Sequence, residues 1–231
     1  MEKKEENIFE SGQVLLINKP LEWTSFDVIK KIRNIIRIKK VGHAGTLDPL
    51  ATGLLIVCTG KFTKKINEYM AQEKEYAGSF TLGATTPTYD LESEPVNFKP
   101  IDHLTNEAVQ AATKKFIGDI MQVPPAHSAI KVEGKRVYEL ARQGKEVKLK
   151  SRSISIKEFE ITAIRLPVVE FRVVCSTGTY IRSLAHDFGV ALGCGAYLSN
   201  LSRTRIGGFT LDKAMTIQEF EETMKSYKMK G

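Results

Sequence analysis

The run SISIKEFEITAI (Ser153 to Ile164) alternates at period two, and VVEFRVVCS (Val168 to Ser176) follows it across Pro167. Two strand patterns separated by so short a turn can pair only as an antiparallel hairpin, because a parallel pair needs a crossover of a dozen residues or more. That hairpin rules out a purely helical or all-parallel chain. VLLIN (Val14 to Asn18), LLIVC (Leu54 to Cys58) and EYAGSFTLG (Glu75 to Gly83) also read as strands. Between them, Ser25 is placed to cap a helix whose apolar residues Phe26, Ile29, Ile32 and Ile36 recur at helical spacing. Further helical segments are expected over Lys64 to Met70, Thr105 to Phe116, Val137 to Gln143, and from a Thr179 cap to Leu192. A capping box, Thr216 to Glu219, opens a short C-terminal helix. Strands and helices alternate without a regular βαβ period, so the fold class is α+β, with a mainly antiparallel central sheet flanked by helices and loops.

The chain has 231 residues, 42% of them hydrophobic, enough to bury a core without staples. Residues 1 to 11 are polar and acidic and are expected to be a flexible tail; residues 12 to 231 form the folded domain, with no internal linker or repeat. No run of eighteen apolar residues occurs, and MEKKEENIFE is charged where a signal peptide needs an apolar core, so no membrane association and a cytoplasmic location are expected. Cys58, Cys175 and Cys194 are odd in number and far apart, which suggests buried small hydrophobes rather than disulfides or a metal site. The formal charge of +7 suits a polyanionic partner. Six basic residues and no acid lie between Lys30 and Lys40, and eight basic residues against three acids lie between Lys131 and Arg152. Each segment fits either a phosphate-binding groove or a solvated face.

VGHAGTLDPLATG (Val41 to Gly53) sets one carboxylate, Asp48, among turn formers just before an apolar strand. Asp in a turn is common punctuation, but a carboxylate fixed on a stiff loop is also how a catalytic acid is presented. Such a group needs a cationic neighbour to set its ionisation. STGTYIRSLAHDFG (Ser176 to Gly189) offers Arg182 in the first turn of a helix, where its fork can meet a carboxylate. His43, His103, His127 and His186 have no metal-ligand spacing, and no P-loop, dinucleotide fingerprint or nucleophile elbow occurs. The remaining set of a carboxylate, an arginine, aromatics such as Tyr76 and Tyr180 and a basic flank suits chemistry on a nucleic acid.

These residues carry a resemblance. GHAGTLDPLATGLL is very similar to the signature of the TruB family of tRNA pseudouridine synthases. LLINKPLEWTSFDVI, KEYAGSFTLG, CSTGTYIRSLAHDFG and GAYLSNLSRTRIGGF resemble that family's other motifs in the same order, over nearly the whole chain. The resemblance implies the pseudouridine synthase fold and isomerisation of the tRNA T-loop uridine numbered 55. It implies Asp48 as nucleophile or base, Arg182 as its ionic partner and Tyr76 stacked on the flipped uracil. Tyr180 and Leu201 would line the pocket, and His43 would enter the RNA. Lys19 and Arg203 would be either substrate contacts or structural cations. The implied partner is the tRNA T-stem-loop; no cofactor, metal or obligatory protein partner is expected, and the protein is expected to be a monomer. Two departures stand out: TPTYD (Thr86 to Asp90) has Pro87 where the family carries an acid, and Ala44 stands where Thr is frequent. The sequence after GGF leaves no room for the RNA-binding PUA domain of many members, so none is expected. The rival readings are a non-catalytic tRNA-binding folding factor and a synthase acting on another RNA.

Overall fold

The structure, a computed structural model, describes residues 7–126, 131–132, 135–136 and 149–228. The helix expected over Val137 to Gln143 and most of the basic stretch from Lys131 to Arg152 lie outside the described residues. In chain order the elements are α1 (Ile8–Ser11), β1 (Val14–Lys19), α2 (Ser25–Ile36), β2 (Val41–His43), β3 (Ala51–Thr59), α3 (Ile66–Ala71), β4 (Lys74–Leu82), α4 (Asn106–Ala112) and β5 (Gly118–Gln122). They continue with β6 (Lys131–Val132), β7 (Lys135–Arg136), β8 (Arg152–Arg165), β9 (Val168–Cys175), α5 (Ile181–Ala191), β10 (Ala196–Ile206), β11 (Phe209–Thr210) and α6 (Ile217–Lys228). The chain divides into two compact units: Met1–Tyr76 with Ser202–Gly231, and Ala77–Leu201. Strands β4 and β10 contribute residues to both.

In the first unit the strand order is β1-β3-β10, with β2 paired to β3 and β11 to β10. Strand β3 explains the unbroken apolar run LLIVC. Leu55 and Val57 pack with Ile29, Ile32 and Ile36 of α2 and with Phe220 of α6. Leu54, Ile56 and Cys58 point to the other face, beside Ala44 and Ile206. A strand covered on both faces needs no polar alternation, and each fully buried aliphatic side chain contributes about 1.5–3 kcal/mol. Thr24, not Ser25, caps α2: its hydroxyl accepts from the Asp27 N–H at 3.0 Å and the Asp27 carboxylate accepts from the Thr24 N–H at 2.9 Å. Phe26, expected on the inner face, is 61% exposed, and Val28 is buried instead. Within the segment expected to be a tail, Ile8–Ser11 is a helical turn capped by Asn7, and Phe9 is buried in the core because a lone aromatic in a polar segment still gains by leaving water.

The second unit has the order β10-β4-β9-β8-β5. The hairpin expected across Pro167 is present as β8 and β9, paired antiparallel from Arg165↔Val168 to Ile156↔Cys175 with two register shifts. Its inner face contributes Phe159 and Phe171 to an aromatic core with Phe80, Phe116 and Phe188, in which Phe80 and Phe171 stack at 4.2 Å. Helix α5 begins one residue later than expected: Tyr180 is its N-cap, and the Thr179 hydroxyl donates instead to the Ser176 carbonyl at 3.0 Å. The Thr216–Glu219 capping box opens α6 as expected. Among the described residues, no helix is long and apolar enough to cross a membrane.

Candidate active site

The Asp48 loop, between β2 and β3, is tied to the first unit through its backbone. The Ala44 N–H donates to the Ile56 carbonyl at 2.9 Å, and the Ala51 N–H to the Asp48 carbonyl at 3.0 Å, closing a turn around Pro49. Because Thr24 does the capping, the buried Ser25 hydroxyl is available to the loop: it accepts from the Leu47 N–H at 2.9 Å and lies 3.2 Å from the Leu47 carbonyl. Gly45 sits at φ +93°, a left-handed conformation that glycine adopts without strain. At Gly42 a Cβ would lie 2.7 Å from Ile66 Cδ1, a contact that a shift of the Ile66 side-chain end would relieve.

Two buried cations hold the same loop. Lys19, fully buried, donates through Nζ to the carbonyls of Trp23 at 2.5 Å, Pro20 at 2.8 Å and Pro49 at 3.3 Å. Burial lowers its pKa to about 8, with the Asp48 carboxylate opposing the shift. Arg203, also buried, donates through Nε to the Leu54 carbonyl at 2.8 Å and through Nη2 to the Gly45 carbonyl at 3.0 Å. Of the two roles left open for these cations, structural or substrate-binding, this geometry supports the structural one. His43, at the end of β2, is half-buried; burial and then the Arg203 charge lower its pKa, which keeps the ring neutral at pH 7. Tyr76, on β4, is 7% exposed.

The other expected residues lie in the second unit. The Arg182 guanidinium stands 3.5 Å from the Asp90 carboxylate and 3.5 Å from the Thr88 carbonyl, with both side chains of the ion pair 5% exposed. Asp90 belongs to the TPTYD loop, which is closed on itself: the Thr86 hydroxyl donates to the Asp90 carbonyl at 2.8 Å, and Thr88 and Ser93 share a hydroxyl contact at 2.7 Å. Pro87, the departure from the family pattern, is exposed, whereas Thr86, Thr88 and Asp90 are buried. Asp90, the last residue of TPTYD, is brought to Arg182 by the fold, and no spacing in the sequence marks it. Tyr180 is fixed by its backbone: its N–H donates to Gln122 Oε1 at 2.8 Å, its carbonyl accepts from Gln122 Nε2 at 3.1 Å, and Arg152 lies 4.6 Å over its ring. Leu201, on β10, is buried.

Comparison with known proteins fits this arrangement. Residues 33–181 match the model of the TruB family pseudouridylate synthase N-terminal domain, and residues 182–230 match that of the tRNA pseudouridylate synthase B C-terminal domain. The fold is thus that of a pseudouridine synthase. More narrowly, the chain belongs to the TruB family. Two relatives, each named tRNA pseudouridine synthase B, come from Parabacteroides distasonis, 53% identical over 94% of this chain and 95% of the relative, and Flavobacterium johnsoniae, 52% identical over 93% and 96%. Among solved structures, a Cbf5-Nop10-Gar1 complex contains a chain similar at TM-score 0.75 and 30% identity, over 95% of this chain and 56% of that one. An H/ACA RNP bound to a substrate RNA containing 2′-deoxyuridine gives 0.74 and 28%, over 97% and 57%. This chain spans just over half the length of those two.

Proposed function

We propose that this chain isomerises uridine to pseudouridine in tRNA, at the T-loop position numbered 55, with Asp48 as the catalytic carboxylate. The observation that carries the proposal is the Asp48 loop itself, whose backbone is held by Lys19, Ser25 and Arg203. That leaves the loop's one carboxylate as a preorganised group, the condition for covalent or acid–base work. The identity of the TruB relatives over nearly their full length supports the substrate.

In the reaction the bond from C1′ to N1 breaks, a bond from C1′ to C5 forms, the proton on C5 is lost and N1 gains one. Nothing is oxidised or reduced. The uracil must leave its stack, at a cost of about a few kcal/mol that pocket contacts offset. Tyr76 stacks on the flipped base, Tyr180 and Leu201 line its pocket, Arg182 supplies a positive charge to the chemistry, and His43, neutral at pH 7, enters the space left in the RNA. Phosphates are met by the exposed Arg37, Lys39, Lys40 and Lys61, which line a shallow pocket of about 460 Å³. The protein works as a monomer in the cytoplasm, with no obligatory protein partner.

Asp48→Asn keeps the shape of the side chain and removes both its nucleophilicity and its basicity. Tritium release from C5-labelled uridine in a T-stem-loop should fall to background while the Kd for that RNA stays within a few-fold of wild type. Turnover by the Asn variant at the native rate would overturn the assignment. Pseudouridine mapping in cells with and without the protein separates tRNA from any other RNA target.

A further inference from the structure

One pair of rings in the second unit has no part in the proposed chemistry. Tyr89 and His186 stack at 4.1 Å between centroids with an interplanar angle of 14°. Each is next to, or one helical turn from, a member of the buried ion pair: Tyr89 precedes Asp90 in the TPTYD loop, and His186 lies four residues after Arg182 on α5. Residues four apart on a helix share a face. One face of α5 therefore presents two contacts to two consecutive loop residues, an ion pair to Asp90 and a ring to Tyr89.

The backbone at Tyr89 makes this arrangement costly. Its φ is +64°, in the left-handed region that a bulky side chain rarely occupies. Such a conformation persists only where the surroundings over-determine it. Here they do: the Tyr89 N–H donates to the Thr86 carbonyl at 3.1 Å, and the Tyr89 carbonyl accepts from the Leu198 N–H of β10 at 2.9 Å. The ring is the third constraint. His186 Nδ1 is buried and has no hydrogen-bond partner among the described residues; beside the charge of the neighbouring Asp187, the flat contact with Tyr89 is what the imidazole meets.

We infer that the Tyr89–His186 stack is a clamp that registers the TPTYD loop on α5, so that Asp90 meets Arg182 at a fixed position; Tyr89 and His186 are positioning residues for pseudouridine formation. The inference rests on the proposed role of Arg182. A glycine at 89 accepts the left-handed backbone and removes the ring but also frees the chain, whereas His186→Ala removes the stack with the backbone at 89 unchanged, so the two variants together separate positioning from backbone effects. A side-chain displacement of about 1 Å at a catalytic group costs up to roughly a hundredfold in rate.

The test compares Tyr89→Gly, Tyr89→Phe, His186→Ala, the Tyr89→Gly/His186→Ala double variant and Arg182→Lys, with a synthetic T-stem-loop RNA as probe. Single-turnover rate, Kd and Tm are measured for each. The clamp requires that Tyr89→Gly and His186→Ala each slow the single-turnover step by about tenfold or more, with Kd and Tm close to wild type. Tyr89→Phe, which retains the ring, must restore the rate, and the double variant must be no slower than the worse single one, the non-additivity of residues acting as a unit. A native rate for Tyr89→Gly beside an inactive Arg182→Lys overturns the clamp and leaves the role of Arg182 intact. A rate loss that tracks a lowered Tm or a raised Kd also overturns it, as structural support or RNA contact. A native rate for Arg182→Lys overturns the reading of Arg182 on which the clamp depends, whatever the Tyr89 variants do.

Discussion

The two units fix their candidate site residues by opposite means. In the first, buried cations reach the Asp48 loop and bind its backbone: Lys19 takes the Pro49 carbonyl and Arg203 takes that of Gly45. In the second, the side chain held is itself the cation, Arg182, and a loop carboxylate, Asp90, comes to it. Holding a loop by its carbonyls does not depend on the identity of the loop's side chains. Holding an arginine by a carboxylate ties position and charge together. A substitution that breaks the first anchor should move a backbone, and one that breaks the second should unbalance a buried charge.

The largest effect is expected at Arg203. Arg203→Met keeps an apolar stem of similar length but leaves the carbonyls of Leu54 and Gly45 without their donor. Each buried acceptor left unsatisfied costs about 1–3 kcal/mol. Denaturant unfolding should therefore show a loss of about 2–6 kcal/mol, and turnover should fall further than the folded fraction alone explains. A variant that unfolds like wild type would show that backbone anchoring does not set the stability of this loop.

Asp90→Asn sharpens the contrast from the other side. It leaves a neutral amide opposite a guanidinium that is 5% exposed, and breaking a buried pair in this way costs about 3–5 kcal/mol at its upper range. The amide retains an acceptor for the guanidinium, so the expected stability loss lies below that range and below the loss at Arg203. The expected signature is a lowered single-turnover rate with little change in Kd for a T-stem-loop, because charge balance around Arg182 changes while the surface does not. If the rate is native, the pair is structural only.

The two anchors were not equally legible in the sequence. The apolar strands were, because burial on one or both faces writes a period into residues such as Leu54 to Cys58 or Ser153 to Ile164. Strand β10 was not: NLSRTRI reads as polar, and its central Arg203 is buried only because its donors find the carbonyls of residues some 150 positions away. Ser25 gave a cap signal although Thr24 makes the cap, since adjacent hydroxyls are equivalent to a pattern and differ only in which one faces the loop. Among the proposed site residues, Asp48 stood out through the motif GHAGTLDPLATG and Arg182 through its place in a first turn. Asp90 and His186 did not, because a partner chosen by tertiary contact leaves no spacing rule behind.

The smallest expected effect is a pH dependence confined to the first anchor. The lowered pKa of Lys19, about 8 against an ordinary 10.5, means that burial disfavours its charged form in the folded protein. Below pH 8 both folded and unfolded chains hold the proton, and the penalty is present in full. Between about 8 and 10.5 the unfolded chain binds more protons at this site than the folded one, so stability rises with pH there. From pH 8 to 9 the gain should be roughly 1 kcal/mol, measured as the difference in unfolding free energy between wild type and Lys19→Met so that other groups cancel. Direct titration of the Lys19 Cε signal by NMR gives the same answer without a mutant. A midpoint near 10.5 would mean that the three carbonyls compensate the buried ammonium fully. The anchor would then be as firm at pH 9 as at pH 7.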